Sequence, residues 1–260
     1  MLKKVGNYVL DLESELGEGK FGKVYKGWLQ GSPDTFYAIK VQKRKLVESS
    51  PMRTRLFENE RHLLGDLDHP NIIKMVACLT TAENYYMVLP FCNQGDMGRY
   101  MKKLGISRFS EEQAVDYLRQ LMNGFQELRR KKIMHRDIKV ENLLVDLPGP
   151  RLVIGDLGFA KAYKSEEEAH TSFLGTPATM APEVKFGNSY DSKADLYSIG
   201  TVFHFFLTGR YPQSKDPLLL VRDLECSDKP NRKSFNISFI LFSSKQNKNL
   251  QPIGFFSKSS

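Results

Sequence analysis

The chain is short of cysteine, of long apolar runs and of any acidic excess, and each shortage closes off a class of protein. Three cysteines, Cys78, Cys92 and Cys226, are widely spaced and odd in number among 260 residues. That excludes a disulfide framework and suits reduced, structural thiols in a cytoplasmic or nuclear protein. No stretch approaches the roughly 18 apolar residues of a membrane helix; ISFILF at 237–242 comes nearest and stops far short. The opening MLKKVGNYVLDLE turns polar before an apolar run of about 7 residues has formed, so no signal peptide is expected. The formal charge is +8, yet from Asp228 onward six basic residues (Lys229, Arg232, Lys233, Lys245, Lys248, Lys258) face one acid, leaving about +3 for the rest. A solvated basic tail accounts for this better than a nucleic-acid surface does.

What is present suits a soluble globular protein of one large domain or two lobes, with 41% hydrophobic and 26% charged residues. Residues 17–24 read GEGKFGKV, in which Gly17, Gly19 and Gly22 fit a G-x-G-x-x-G pattern shared by two phosphate-binding designs. In one, the glycines close a strand and open a helix; in the other, they form a hairpin that folds over a nucleotide. After Gly22 come KVYKGWLQ, the turn-prone GSPD and TFYAIKVQ. The flanking runs are strand formers, so strand rather than helix follows the glycines and the dinucleotide design loses its support.

The second strand run carries Lys40. Downstream, PMRTRLFENERHLLGDL places Leu56, Glu60, Leu64 and Leu67 on one helical stripe, with Glu58 on the solvated side. A carboxylate in an apolar stripe is costly unless a cation meets it, and Lys40 is the candidate. Two further apolar runs around TTAEN predict two more strands closing a small sheet. From Ser110 the pattern turns helical: Ser110 and Gln113 form a capping-box signature, and Ala114, Leu118, Leu121, Phe125 and Leu128 make a stripe over about five turns. HRDIKVEN at 135–142 and DLG at 156–158 complete the series.

With Y-A-I-K at 37–40, these segments resemble the eukaryotic-type serine/threonine protein kinases, from about Tyr8 to about Leu224. The resemblance implies an α+β, bilobal fold: a β-rich N-lobe with hinge over 1–92, a helical C-lobe over 93–224, and a basic, Ser/Asn/Lys-rich tail over 225–260. It implies ATP and Mg²⁺ as cofactors, with phosphoryl transfer to serine or threonine hydroxyls of a protein substrate. Asp137 would accept the hydroxyl proton, Lys139 would steady the γ-phosphoryl, and Lys40, paired with Glu60, would hold the α- and β-phosphates. Asn142 and Asp156 would hold the metal. The nucleotide would meet Leu16, Gly17, Glu18, Gly19, Lys20, Phe21, Gly22, Lys23, Val24, Ala38, Leu89, Pro90, Cys92, Asp96 and Leu144. Proline at 90 keeps the carbonyl that the family offers to adenine, and Cys92 keeps an amide donor.

Leu157 stands where D-F-G has phenylalanine, and Thr179 where most members carry tyrosine. His135 is read as a packed, bracing residue and Asp195 as a buried anchor for the catalytic loop. Ser172, with Thr171 beside it, is the expected phosphosite, set by an activating kinase or by autophosphorylation and read by Arg136. The pairing of Lys139 with Thr176 looks like the serine/threonine class, and Glu141 resembles an acid that some members use for a substrate arginine. DLGFAK and GTPATMAPE look most like the autophagy-initiating or calmodulin-dependent-like groups. Past Leu224 no D-x-x-x-x-R motif offers Glu183 of APE its arginine. The expectation is therefore a truncated C-lobe, in which Glu183 lacks its partner at a cost of about 3 to 5 kcal/mol, meets a tail cation such as Arg232, or sits exposed. The competing reading is a catalytically weak nucleotide-binding scaffold.

Overall fold

The computed structural model describes residues 1–19, 22–163, 175–188 and 190–213. In chain order its elements are β1 (Leu2–Val5), β2 (Tyr8–Gly19), β3 (Gly22–Leu29), β4 (Ser32–Lys43), α1 (Arg44–Val47), α2 (Pro51–Asp66), β5 (Ala77–Thr80), β6 (Asn84–Pro90), β7 (Gly95–Asp96), α3 (Met97–Lys103), α4 (Glu111–Arg130), β8 (Ile133–Met134), a 3-10 turn (Val140–Asn142), β9 (Leu143–Asp146), β10 (Arg151–Ile154), β11 (Lys161–Ala162), α5 (Pro182–Lys185) and α6 (Lys193–Thr208). They form two compact units, one of Met1–Gly95 with Leu144–Phe159, the other of Asp96–Leu143 with the described residues from Ala160. The first therefore takes in 144–159 as well as the segment read from sequence as an N-lobe.

The first unit is built on a six-stranded sheet in the order β1-β2-β3-β4-β6-β5. Neighbouring strands pair antiparallel, so consecutive side chains alternate between its faces. One face packs Val5, Leu10, Ile39, Tyr86 and Val88 into a core. The hairpin from β3 to β4 turns at Gln30 and Gly31, with Leu29 opposite Ser32, so the turn takes in only the Gly31 of the expected GSPD and Pro33 sits near the start of β4. That is a position where a missing amide costs little. β1 is a sixth strand that the sequence reading did not anticipate.

α2 starts where expected: the Ser50 hydroxyl accepts from the Arg53 amide, and Pro51 fills the first turn, where no amide is needed. Its buried face is Phe57, Glu60, Leu63 and Leu64, continued by Leu67, whereas Leu56 is half-exposed. Glu58 pairs with Arg61 at 2.6 Å on the outer side. A clasp joins the end of this strand run to the β9–β10 hairpin. The Asn93 carboxamide donates to Leu147 O at 2.7 Å and accepts from Leu147 N at 3.1 Å, while Gln94 N donates to Val145 O.

The second unit is helical. α4 opens with the complete capping box, Ser110 accepting from Gln113 N and Gln113 returning to Ser110 N. All five stripe residues are buried, together with Tyr117 and Gly124. α6 buries eleven of its sixteen residues, Asp195 among them, and ends at Gly209. The short α3, which the sequence reading passed over, is capped by Asp96.

Candidate active site

In the first unit, β2 and β3 carry the glycines as a hairpin, with Gly17 opposite Val24, Glu18 opposite Lys23 and Gly19 opposite Gly22. Lys20 and Phe21 lie outside the described residues. The glycines differ in what makes them glycine. A Cβ on Gly22 would stand 1.8 Å from Val41 O, so the close approach of β3 to β4 requires its absence. Among the described residues, a Cβ on Gly17 would meet nothing within 4 Å, and one on Gly19 only Gly22 O at 3.6 Å. Protein packing leaves both free to carry a side chain; their bare backbone suits close approach of a phosphate instead. Lys23 is held by Glu15 at 2.7 Å beside the hairpin, Glu18 is exposed, and Leu16 lies at the irregularity between Glu15 and Gly17.

Strand register places the rest of the nucleotide set. Val24 pairs with Lys40, and Ala38, two residues before Lys40, pairs with Leu89, so all four occupy one face of the sheet. Each is half-buried, while Ile39 and Val88 on the reverse are fully buried. The result is an apolar strip edged by one ammonium, suited to a flat base joined to phosphates. Pro90 ends β6 opposite Tyr37, and the Cys92 amide has no hydrogen-bond acceptor among the described residues. Burial, with the Asp146 charge adding to it, pushes the Cys92 thiol up to about 12, so it is inert as a thiolate. Leu144 is half-exposed between the fully buried Leu143 and Val145.

Lys40 meets its expected partner. Its Nζ lies 2.6 Å from Glu60 Oε1 and 3.8 Å from Asp156 Oδ1, with the Glu60 side chain only 5% exposed. Burial works against the ammonium, but Glu60 and Asp156 outweigh it and hold the Lys40 pKa above its ordinary value. Asp156 has a left-handed backbone, φ 51°, and accepts from Gly158 N. Leu157 is fully buried, keeping the packing role expected of it.

The second unit holds the catalytic loop. Both oxygens of the buried Asp195 accept backbone amides, Oδ2 from His135 at 2.7 Å and Oδ1 from Arg136 at 2.8 Å. Burial pushes the Asp195 carboxyl up, while His135, Arg136 and their amides pull the other way. Arg136 sits at φ 66°, a conformation costing about 1 to 2 kcal/mol outside glycine, and the Asp195 bonds hold it there. His135 is fully buried, in the bracing place expected. Asp137 is 3% exposed. Its Oδ1 accepts from the Thr176 hydroxyl at 2.8 Å, and its Oδ2 from Lys139 at 2.9 Å and Asn142 Nδ2 at 3.0 Å. Lys139 also donates to Thr176 Oγ1 at 2.8 Å. Burial would raise the Asp137 pKa, but the bonds from Lys139 and Thr176 with the nearby positive charge hold it below the ordinary carboxylate value. Gly175, at φ 115°, admits no side chain because a Cβ would stand 2.5 Å from Arg136 O.

Asn142 spends Nδ2 on Asp137 O and Oδ2, which leaves Oδ1, a hard oxygen, without a protein donor among the described residues. The Asn142 amide oxygen and the Asp156 carboxylate are each, within their own unit, oxygen donors of the kind Mg²⁺ takes. Among the described residues no cluster of three or more His, Cys, Asp or Glu could hold a metal unaided.

Other expectations fare differently. Asp96 spends one oxygen on Arg99 N as the α3 cap and the other on Arg99 Nε. Thr179 is 1% exposed, and its carbonyl accepts from the Ser198 hydroxyl. Glu183 is 8% exposed, which corrects the alternative of an exposed carboxylate. Thr171, Ser172 and the tail from 225, with Cys226 and Arg232, lie outside the described residues.

The sequence matches the protein kinase domain family over residues 10–243, past the Leu224 at which the motif reading ends. It is similar to serine/threonine-protein kinase atg1 of Dictyostelium discoideum, with 36% identity over 80% of this chain and 31% of that protein. It is also similar to serine/threonine-protein kinase ATG1a of Arabidopsis thaliana, with 37% identity over 80% of this chain and 32% of the relative. Serine/threonine-protein kinase ULK1 of Homo sapiens is 34% identical over 82% of this chain and 21% of its own length. The chain therefore spans about a third or less of these relatives. On the family match, with the Lys40–Glu60 pair and the Asp137 cluster, the chain belongs to the protein kinase domain family.

Proposed function

We propose that the chain phosphorylates serine and threonine hydroxyls of protein substrates, using ATP and Mg²⁺. Bound Mg-ATP would supply the transferable phosphoryl group and a divalent charge that offsets its oxygens. The ammonium of Lys40, fixed by Glu60, orients the α- and β-phosphates, and the backbone of Gly17 and Gly19 covers them. Val24, Ala38, Leu89 and Leu144 shield the base from water, with the Pro90 carbonyl and Cys92 amide reading its edge. Asn142 Oδ1 and the Asp156 carboxylate would hold the metal.

The observation that carries this reading is the saturated carboxylate of Asp137, with Lys139, Asn142 and Thr176 all bonded to it. An incoming hydroxyl replaces the Thr176 donor at Oδ1. As its oxygen bonds to the γ-phosphorus and the bond to ADP breaks, the hydroxyl proton passes to Asp137. A carboxylate held below its ordinary pKa is a weak base, which suits a loose transition state in which the proton leaves late. Lys139 moves with the phosphoryl oxygens and offsets their charge. Free thiols at Cys78 and Cys92 suit action in the cytoplasm or nucleus. Activation through Ser172 or Thr171 forms part of the same reading.

The test is transfer of labelled phosphate from Mg-ATP to a generic acceptor protein. Wild type is expected to transfer, and Asp137→Asn to lose at least about 10³-fold in kcat while still binding nucleotide. A wild type that binds ATP but transfers no more than the mutant would establish the scaffold reading instead.

A further inference from the structure

Beyond Gly209, where α6 ends, the chain brings Tyr211 against the catalytic loop. The Tyr211 hydroxyl oxygen accepts from Val140 N at 3.1 Å and donates to Glu141 Oε2 at 3.3 Å. Its ring packs on Phe205 with centroids 4.9 Å apart. Val140 opens the 3-10 turn that ends at Asn142, and the residue before it, Lys139, makes no side-chain capping bond. The first amides of such a turn have no acceptor within it, so the phenol supplies what the turn lacks. A phenol fits the place because it accepts and donates at once; burial keeps its proton on by raising its pKa.

The other end of the loop is held by Asp195 at the start of α6, through the amides of His135 and Arg136. We propose that Tyr211 is a positioning residue for phosphoryl transfer: bonded to Val140 and Glu141, its hydroxyl fixes the turn that aims the Asn142 carbonyl at the divalent cation. Asp195 and Tyr211, on one element and its extension, thus clamp the loop at both ends, and Asp137 and Lys139 lie between the clamps. The inference rests on the kinase reading above.

Tyr211→Phe keeps the ring on Phe205 and removes only the hydroxyl. By hydrogen–deuterium exchange of the full chain, the Val140 amide should exchange roughly fivefold faster, as for loss of one hydrogen bond, with α4 and α6 unchanged. In phosphate transfer at saturating ATP, the Mg²⁺ concentration for half-maximal rate should rise by a similar factor, with KM for the acceptor peptide unaltered. Unchanged exchange at Val140 overturns the proposal. A rise in peptide KM with no change in Mg²⁺ requirement also overturns it and assigns Tyr211 to peptide binding, and a lower melting temperature with both readouts unmoved reduces Tyr211 to a packing residue. Should the wild type transfer no phosphate, the kinase reading fails, and the exchange of Val140 alone decides whether the tether exists.

Discussion

Replacing Glu60 with glutamine tests whether Lys40 is what allows a carboxylate inside the first unit. The two groups are 2.6 Å apart with side chains 5% and 16% exposed, and Asp156 stands 3.8 Å from the same ammonium. Removing one member of a buried pair costs about 3 to 5 kcal/mol, because the other is left charged and unpaired. Glu60→Gln should cost less, about 2 to 3 kcal/mol, since the carboxamide still accepts a hydrogen bond and Asp156 still faces Lys40. Lys40→Met should cost the full amount, because it strands Glu60 in an apolar stripe. The double substitution should then cost less than the sum of the singles by at least about 1.5 kcal/mol.

Urea titration followed by tryptophan fluorescence measures this directly, because the single tryptophan, Trp28, lies on β3 of the same unit and reports its unfolding. High salt should change the coupling little, as buried pairs are poorly screened. Additive costs, within about 0.5 kcal/mol, would mean that packing alone accounts for the buried carboxylate and that the argument from its cost is mistaken.

The glycine hairpin gives a second contrast: Gly22→Ala forces a Cβ against Val41 O and should destabilise by about 1 to 3 kcal/mol or more, whereas Gly17→Ala, with open space around it, should change stability by less than about 0.5 kcal/mol yet weaken ATP binding, read by calorimetry. Equal stability for the two variants would contradict the geometry. For pH, Asp137 has its folded pKa below the unfolded value near 3.8, so it stays ionised, and its stabilising bonds persist, until pH falls below the ordinary carboxylate range. The acidic limb of kcat/KM should lie lower in wild type than in Thr176→Val, which removes one hydrogen bond to the carboxylate; coincident limbs would remove Thr176 from the account.

Much of this was readable in the residues because it is local or costly. The strand after Gly22 follows from composition, the α4 start from Ser110 and Gln113, and the burial of Glu60 from its place among leucines. On α2 the stripe holds at Glu60, Leu64 and Leu67 and departs only at Leu56, where Phe57 is buried in its place and Leu63 joins the buried face, because neighbouring apolar residues compete for the same side of the helix. Tyr211, 71 residues from Val140, left no periodic trace, nor did the Asn93 clasp on Leu147. A side chain that serves a distant amide looks in sequence like any other polar residue. The cap of Asp96 on α3 follows from a plain Asp-x-x-Arg spacing.

Gly22 carries one more consequence. Because β3 passes so near β4 that a single carbon would collide with the Val41 carbonyl, the hairpin is pinned beside its turn, at the Gly19–Gly22 pair, while Gly17, opposite Val24, has open space around it. A nucleotide's phosphates would then be met by a hairpin held to the sheet next to its turn, so that a side chain at Gly17 should alter how fast nucleotide leaves, whereas one at Gly22 decides whether the sheet forms.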